Sequence, residues 1–387
     1  MNITREMKIE SLEIENFKSI AHINLKHLDM LSVFVGNNGA GKTAIFDTMR
    51  FIRECVVNRT ISLPLNRRGG FNDLLRRNAE TPVIGFKLVV SGKKDPEHKL
   101  TYILRIEQTD SAAYVGKEDL TETRKVGRKY ENFKIISYRA GRGYIADPKK
   151  EKRELQNTDI ALGKLGEFSE YKLANDFRNY VANWYFADFF VNTMRDESLD
   201  LVDTSKLRED CRNLREVLMA MQQENSEAYK EVVKTMNLCI ADIQNIGATK
   251  QGNKTHLQIS DTHFKNPFSE LSVSDGTLKL LAYITLLAQS GKISFLMVEE
   301  PENQVYLETL SILFELFEAA AFEGLQTFLS THSPDFIKNV NSESVVIVAK
   351  QDGITNATKM VSNKPLQKYV SSVGIAEAWR DGGLFSI

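Results

Sequence analysis

The chain has 387 residues, of which 42% are hydrophobic and 26% charged, with a formal net charge of −1, a composition that excludes a disordered or uniformly basic chain and fits a globular protein with a sizeable core. No apolar run approaches the length of a membrane span, and the opening MNITREMKIE is charged where a secretory signal is apolar, so a cytoplasmic protein without a membrane segment is expected. Cys55, Cys211 and Cys239 show neither CxxC nor Cys/His metal spacing and read as reduced structural thiols.

In chain order, MKIESLEIENFKSI alternates apolar and polar residues through Leu12, Ile14 and Phe17, the period of a half-buried strand. LSVFVGNNGAGKT reads as a buried strand, a glycine turn and a helix start, and the helix places Ile45, Met49, Ile52 and Val56 on one face. VIGFKLVV and LTYILRIE, separated by a polar stretch, predict an antiparallel hairpin. From about residue 155 to 245 Gly and Pro are few and helical patterns such as Leu214, Val217 and Leu218 recur, which predicts a helical insertion. After a turn-rich stretch at 247–270, LKLLAYITLLAQ and LETLSILFELFEAAAF read as helices, and ISFLMVEE, LQTFLSTHS and SVVIVAK as strands. That alternation predicts an α/β fold with a mixed, mostly parallel sheet, flanking helices and an antiparallel β part. The expected division is an N-terminal lobe at 1–150, a helical insertion at 151–246 and a C-terminal lobe at 247–387, so that both ends of the chain build the core.

Gly36-Asn37-Asn38-Gly39-Ala40-Gly41-Lys42-Thr43, followed by Ala44, fits GxxxxGK[ST] between a predicted strand and helix. The glycines let the backbone N–H groups and the helix N-terminus face a polyphosphate, Lys42 reaches the terminal phosphates, and Thr43 binds Mg²⁺. The strand ISFLMVEE stops on two like charges, which are tolerated only where a cation or donor faces them. In phosphate-loop enzymes such a strand end supplies the second metal contact, so Glu299 is expected to hold Mg²⁺ and Glu300 to orient and deprotonate the attacking water. Ser274, Asp275 and Gly276 precede a helix as an N-cap with a glycine that allows close backbone approach, and His332 ends a strand where it could hydrogen-bond a γ-phosphate. Taken singly, these are a routine helix start and a lone histidine. Their order along the chain joins them.

Phosphate loop, long insertion, Ser-Asp-Gly helix start, acidic strand end and Thr-His-Ser, in that order, resemble the ABC-type P-loop ATPase heads of the SMC, RecF and OLD class. The wording SDGTL, EEPEN and STHSP is most similar to the OLD-like AAA ATPases of bacterial phage-defence systems such as Septu and PARIS. The likeness covers roughly residues 8–60 and 268–350. It implies that Ser274 to Gly276 are the signature motif, Glu299 and Glu300 the Walker B acids, and His332 the switch histidine. It further implies an ATPase using ATP and Mg²⁺, working as a homodimer or higher oligomer in which the signature of one protomer covers the ATP of another. Gln304-Val305-Tyr306-Leu307 departs from the Leu-His-Pro wording that usually follows EEPEN in that class.

Two basic segments stand out: Arg59, Arg67, Arg68, Arg76 and Arg77, and the run from Arg124 to Arg153 with Tyr130, Phe133, Tyr138 and Tyr144 interleaved. Either could bind nucleic acid through phosphate contacts and base stacking, or be a solvated face. Nothing after SVVIVAK resembles the nuclease domain of OLD proteins, so a nuclease or toxin is expected as a separate partner that the ATPase regulates in antiviral defence. The alternatives are a non-hydrolysing ATP-bound scaffold for such an effector, and a DNA-repair or chromosome-maintenance ATPase.

Overall fold

The computed structural model describes residues 6–109, 112–147, 149–196, 203–338 and 340–385. They form two compact units, residues 1–184 with 340–387, and residues 185–339.

In the first unit, eight antiparallel strands run in the order Ile20–Lys26, Met7–Phe17, Val83–Gly92, Lys99–Gln108, Ala113–Val126, Lys129–Arg139, Arg142–Ala146 and Lys150–Lys152. The opening strand buries Ile9, Leu12, Ile14 and Phe17; a bulge between Ile9 and Ser11 returns Ile9 to the inner face although Leu12 lies three residues on. The expected hairpin pairs Val83 with Glu107 through Ser91 with Lys99, and buries alternate residues of both strands. The same sheet continues through 113–152, which the sequence shows chiefly as a basic segment. Charged residues on the exposed face mask the alternation that buries Leu120, Ile136, Tyr138 and Ile145.

Against this sheet lies the helix Lys42–Asn58, with Phe51 meeting Phe17 at 6.0 Å and Phe86 at 5.7 Å between ring centroids. Ile45, Met49, Ile52 and Val56 are buried as the spacing predicts, and so are Phe46 and Cys55, because the helix is covered on more than one face. The strand Leu31–Val35 that feeds it pairs in parallel with Val345–Gln351, which in turn pairs antiparallel with Ile354–Lys359. An edge-to-face contact of Phe34 with Phe46, 5.3 Å between centroids, fixes that strand to the helix.

In the second unit, Phe295–Glu299 and Gln326–Thr331 are parallel neighbours in register, Glu299 opposite Ser330. The helices Asp275–Ala288 and Leu307–Phe322 meet at Tyr283 and Phe317, 5.3 Å apart. The stretch read as turn-rich contains a hairpin, Ile243–Gln251 with Lys254–Asp261, whose buried Ile246, Ala248, Leu257 and Ile259 are hidden among polar residues and whose turn holds Gly252 at positive φ. Helices of the 151–246 interval fall in both units: Ala161–Leu165 and Lys172–Ala182 in the first, Val191–Arg195, Leu214–Gln223 and Glu227–Cys239 in the second. Among the described residues no helix is long and apolar enough to cross a membrane.

Candidate functional site

The phosphate loop belongs to the first unit. Gly39 and Gly41 have φ of +76° and +108°, and Gly41 is the N-cap of the Lys42–Asn58 helix, so the chain enters the helix through a backbone shape that only glycine adopts without strain. Asn37 to Gly39 and Thr43 are exposed, while Ala40, Lys42 and Ala44 are buried. The Lys42 ammonium donates to the carbonyls of Gly36 at 2.7 Å and Asn37 at 3.3 Å, which draws its side chain back across the loop. Neighbours make the loop rigid. A Cβ on Gly36 would lie 2.3 Å from the Val348 carbonyl oxygen, and one on Gly41 2.1 Å from Thr355 Oγ1. Thr355 donates to the Ala40 carbonyl at 2.9 Å and accepts from the Ser19 hydroxyl at 2.8 Å, and its N–H donates to the Ser19 carbonyl. Sequence reading missed this brace, because Thr355 is 315 residues from Ala40.

The helix behind the loop is anchored by charge. Arg68 lies over the Phe51 ring and holds both Asp47 and Glu54, and Lys18 pairs with Asp47 at 2.7 Å. Buried Glu118 accepts from the backbone N–H groups of Ala161 (2.6 Å) and Leu162 (2.9 Å) and from the Tyr102 hydroxyl. It thereby fixes the short helix Ala161–Leu165, whose Gly163 packs so closely that a Cβ would lie 2.4 Å from the Val56 carbonyl. Burial pushes the Glu118 carboxyl up to about 7 against those hydrogen bonds. Beyond Ser19 a polar cavity of about 680 Å³ opens, lined by Lys18, Arg76, Arg77 and Lys350 among others.

The acidic strand end and the helix-start motif belong to the second unit, where they converge. Glu299 closes its strand, and Glu300 turns the chain with φ +46°, its N–H donating to the Ser330 carbonyl at 2.9 Å. Asn303 donates to Glu300 Oε2 at 3.0 Å. His332 Nδ1 lies 3.4 Å from Glu300 Oε1 and 3.5 Å from Glu302 Oε1, close but without hydrogen-bond geometry to either. Ser274 caps its helix, accepting from the Thr277 N–H at 3.2 Å. Gly276 presses on the same turn, since a Cβ there would lie 3.2 Å from the Gln304 carbonyl oxygen. Arg195 pins the approach to this helix through Asp275 at 2.6 Å and the carbonyls of Glu270 and Val273.

Two more residues, one in this turn and one on the helix, carry no sequence signal. Glu302 is buried, accepts from the Thr331 hydroxyl at 2.6 Å and the His332 N–H at 3.0 Å, and keeps its other oxygen buried without a hydrogen bond. Burial pushes its carboxyl up, against those two donors. Lys279 is buried on the Ser-Asp-Gly helix and donates to the Asn303 carbonyl at 2.7 Å. Charges turned inward have no sequence signature.

Many of the basic residues are already engaged. Arg59 pairs with Glu167, and Arg68 with Asp47 and Glu54. Lys134 and Arg139 pair with Asp119, which, burial notwithstanding, they and Ser137 hold down to about 2. Of the interleaved aromatics, Phe133 is covered by Arg124 at 4.5 Å and Tyr144 by Lys150 at 4.1 Å.

Residues 31–338 match the family described as "AAA domain, putative AbiEii toxin, Type IV TA system". The chain belongs to that family. This AAA-domain protein is 20% identical over 383 residues, 94% of each chain, to a protein of Helicobacter pylori named ATP/GTP phosphatase. It is 45% identical over 49 residues, 13% of this chain and 14% of the relative, to the DNA replication and repair protein RecF of Porphyromonas gingivalis. Among solved structures it is similar to an SmcHead bound to the C-winged helix domain of ScpA, with a TM-score of 0.56 at 10% identity over 90% of this chain and 96% of that one. The AAA-domain chain thus has the ABC-type fold of SMC heads and is a P-loop ATPase of the AAA type.

Proposed function

We propose that this ATPase binds and hydrolyses ATP between protomers and uses the cycle to regulate a separate effector, a nuclease or toxin, in anti-phage defence. In this reading residues 36–44 hold the phosphates, with loop N–H groups and the Lys42 ammonium against the β- and γ-oxygens. Ser274 to Gly276 of a second copy present a helix N-terminus to the γ-phosphate. Glu300 orients and deprotonates the water for in-line attack, and Lys42 and His332 stabilise the charge that develops on the transferred phosphoryl group. The hydroxyl of Thr43 and the carboxylate of Glu299 are hard oxygen donors that suit Mg²⁺, which would neutralise phosphate charge there. The observation that carries the hydrolytic reading is Glu300, aimed by a left-handed backbone, tied to Asn303 and 3.4 Å from the imidazole of His332.

For the effector, support comes from the toxin system in the family's description and from the partner domain in the SmcHead structure. DNA is a second candidate substrate, supported by the RecF relative and by the cations around the 680 Å³ cavity. The altered sequence Gln304 to Leu307 favours a scaffold as the rival reading.

Steady-state hydrolysis by wild type, Lys42→Ala and Glu300→Gln, with bound nucleotide measured on the same samples, tests the proposal. The wild type should turn ATP over, Lys42→Ala should lose both nucleotide and turnover, and Glu300→Gln should keep nucleotide and lose turnover. A wild type that retains ATP without turnover would establish the scaffold instead. Copurification of a nuclease or toxin, as opposed to recombination proteins, distinguishes defence from repair.

A further inference from the structure

We propose that Lys279 is a positioning residue that locks the turn bearing Glu300 to the Ser-Asp-Gly helix, so that the helix N-terminus and the water-activating carboxylate move as one piece; this rests on the role proposed for Glu300. The connection is continuous. The Lys279 ammonium donates to the Asn303 carbonyl at 2.7 Å, the Asn303 side chain donates to Glu300 Oε2 at 3.0 Å, and the Asn303 N–H donates to the Glu300 carbonyl at 3.1 Å. One turn earlier on the same helix, Gly276 abuts the Gln304 carbonyl and the Tyr306 ring. Helix and turn therefore share a contact at both ends of one helical turn, one steric and one polar.

Lys279 is an unusual choice for a packing residue. It is 4% exposed on a helix whose neighbouring positions, Leu278, Leu280, Leu281 and Ala282, are apolar and buried. An ammonium at such a place is costly unless charge and hydrogen bonds compensate, and methionine would fill the same volume without that cost. Burial lowers the ammonium to about 8, and the charges of Glu302 and Glu300 compensate by pulling it back up. The same two carboxylates lie near His332, whose Nδ1 is 3.4 Å from Glu300 and 3.5 Å from Glu302. A helix displaced by nucleotide or by a second protomer would, through Lys279, displace Glu300 with it.

Values of kcat and KM for ATP, affinity for a non-hydrolysable ATP analogue, and thermal unfolding, measured on wild type, Lys279→Met, Lys279→Arg, Glu300→Gln and the Lys279→Met/Glu300→Gln double variant, test this. Lys279→Met should lower kcat roughly 10- to 100-fold, the cost of a misplaced catalytic group, with KM and analogue affinity unchanged. Lys279→Arg should recover most of the loss, and the double variant should be no slower than Glu300→Gln alone. Should Lys279→Met not fold, Asn303→Ala, which removes an exposed side chain from the same path, should lower kcat in the same way; an unchanged kcat there overturns the proposal. Wild-type turnover in Lys279→Met beside a dead Glu300→Gln overturns it and leaves the ATPase reading standing. Equal losses in Lys279→Met and Lys279→Arg, with weakened binding and a lower Tm, show a merely structural lysine and also overturn it. An inactive wild type overturns both readings.

Discussion

The phosphate loop and the acidic turn reach their shapes by different means. In the loop, backbone does the shaping: Gly39 and Gly41 take positive φ, and Gly36 and Gly41 leave room for the Val348 carbonyl and Thr355. In the turn, side chains do it, with Lys279, Asn303, Glu300, His332, Glu302 and Thr331 in successive contact. The contrast extends to two buried acids, one in each unit. Both oxygens of Glu118 are satisfied by backbone N–H groups, whereas Glu302 keeps one oxygen without a hydrogen bond beside a lysine and a histidine. A fully satisfied acid is a structural brace, and a half-satisfied one needs a reason other than bracing.

The largest effect expected from this contrast is at Gly36. Gly36→Val would drive a Cβ into a backbone carbonyl 2.3 Å away that cannot move aside, so calorimetry should find ATP binding lost and denaturation a cost of about 1–3 kcal/mol. Normal binding by this variant would break the claim that backbone sets the loop.

Glu118 should give the clearest pH signature. Its folded value of about 7 stands above the ordinary 4.5, so the neutral form is favoured on folding. The stability it contributes is full below pH 4.5 and is lost as the pH rises through 7, roughly 3 kcal/mol in all. Urea unfolding across that window should show the decline, and Glu118→Gln should flatten it. A pH-independent wild type would contradict the upward shift and show that the three donors offset the cost of burial in full.

Thr355→Val should be milder. Losing the hydrogen bonds to Ala40 and Ser19 costs on the order of 1–2 kcal/mol, read as a nucleotide affinity weakened by about tenfold with little change in kcat. Smallest of all, Glu302→Gln keeps an acceptor for Thr331 and His332 while removing a buried charge. Its thermal stability should be unchanged or slightly raised, within about 1 kcal/mol, with a kcat lowered only a few-fold. A collapse of stability would make Glu302 a brace like Glu118.

The same contrast decides what could be read in advance. Backbone-shaped sites leave glycines at fixed spacing, so residues 36–43 and the helix face through Ile45, Met49, Ile52 and Val56 were legible. The Val83–Ile106 hairpin was legible because its alternation is undiluted. Strands 113–152 and the hairpin around Gly252 were not, since their inward residues are spaced by charged and polar ones that look like a loop. Lys279, Glu302 and Thr355 could not be found by pattern at all. Which way a lysine or glutamate points is decided by tertiary neighbours, and Thr355 meets Ala40 only once the chain has folded back over 315 residues. Arg68 shows the converse: in the sequence it belongs to a basic cluster, yet two carboxylates hold it against the helix.

The central claim is that ATP is shared between copies, held by residues 36–44 of one and covered by Ser274 to Gly276 of the other. Mixing Lys42→Ala with Ser274→Arg tests it directly, because each variant alone should be inactive while a mixed assembly contains one site with both halves intact. Turnover that reappears on mixing, well above the sum of the separate samples, is the predicted result. Two inactive variants that demonstrably exchange subunits and stay inactive together would contradict it.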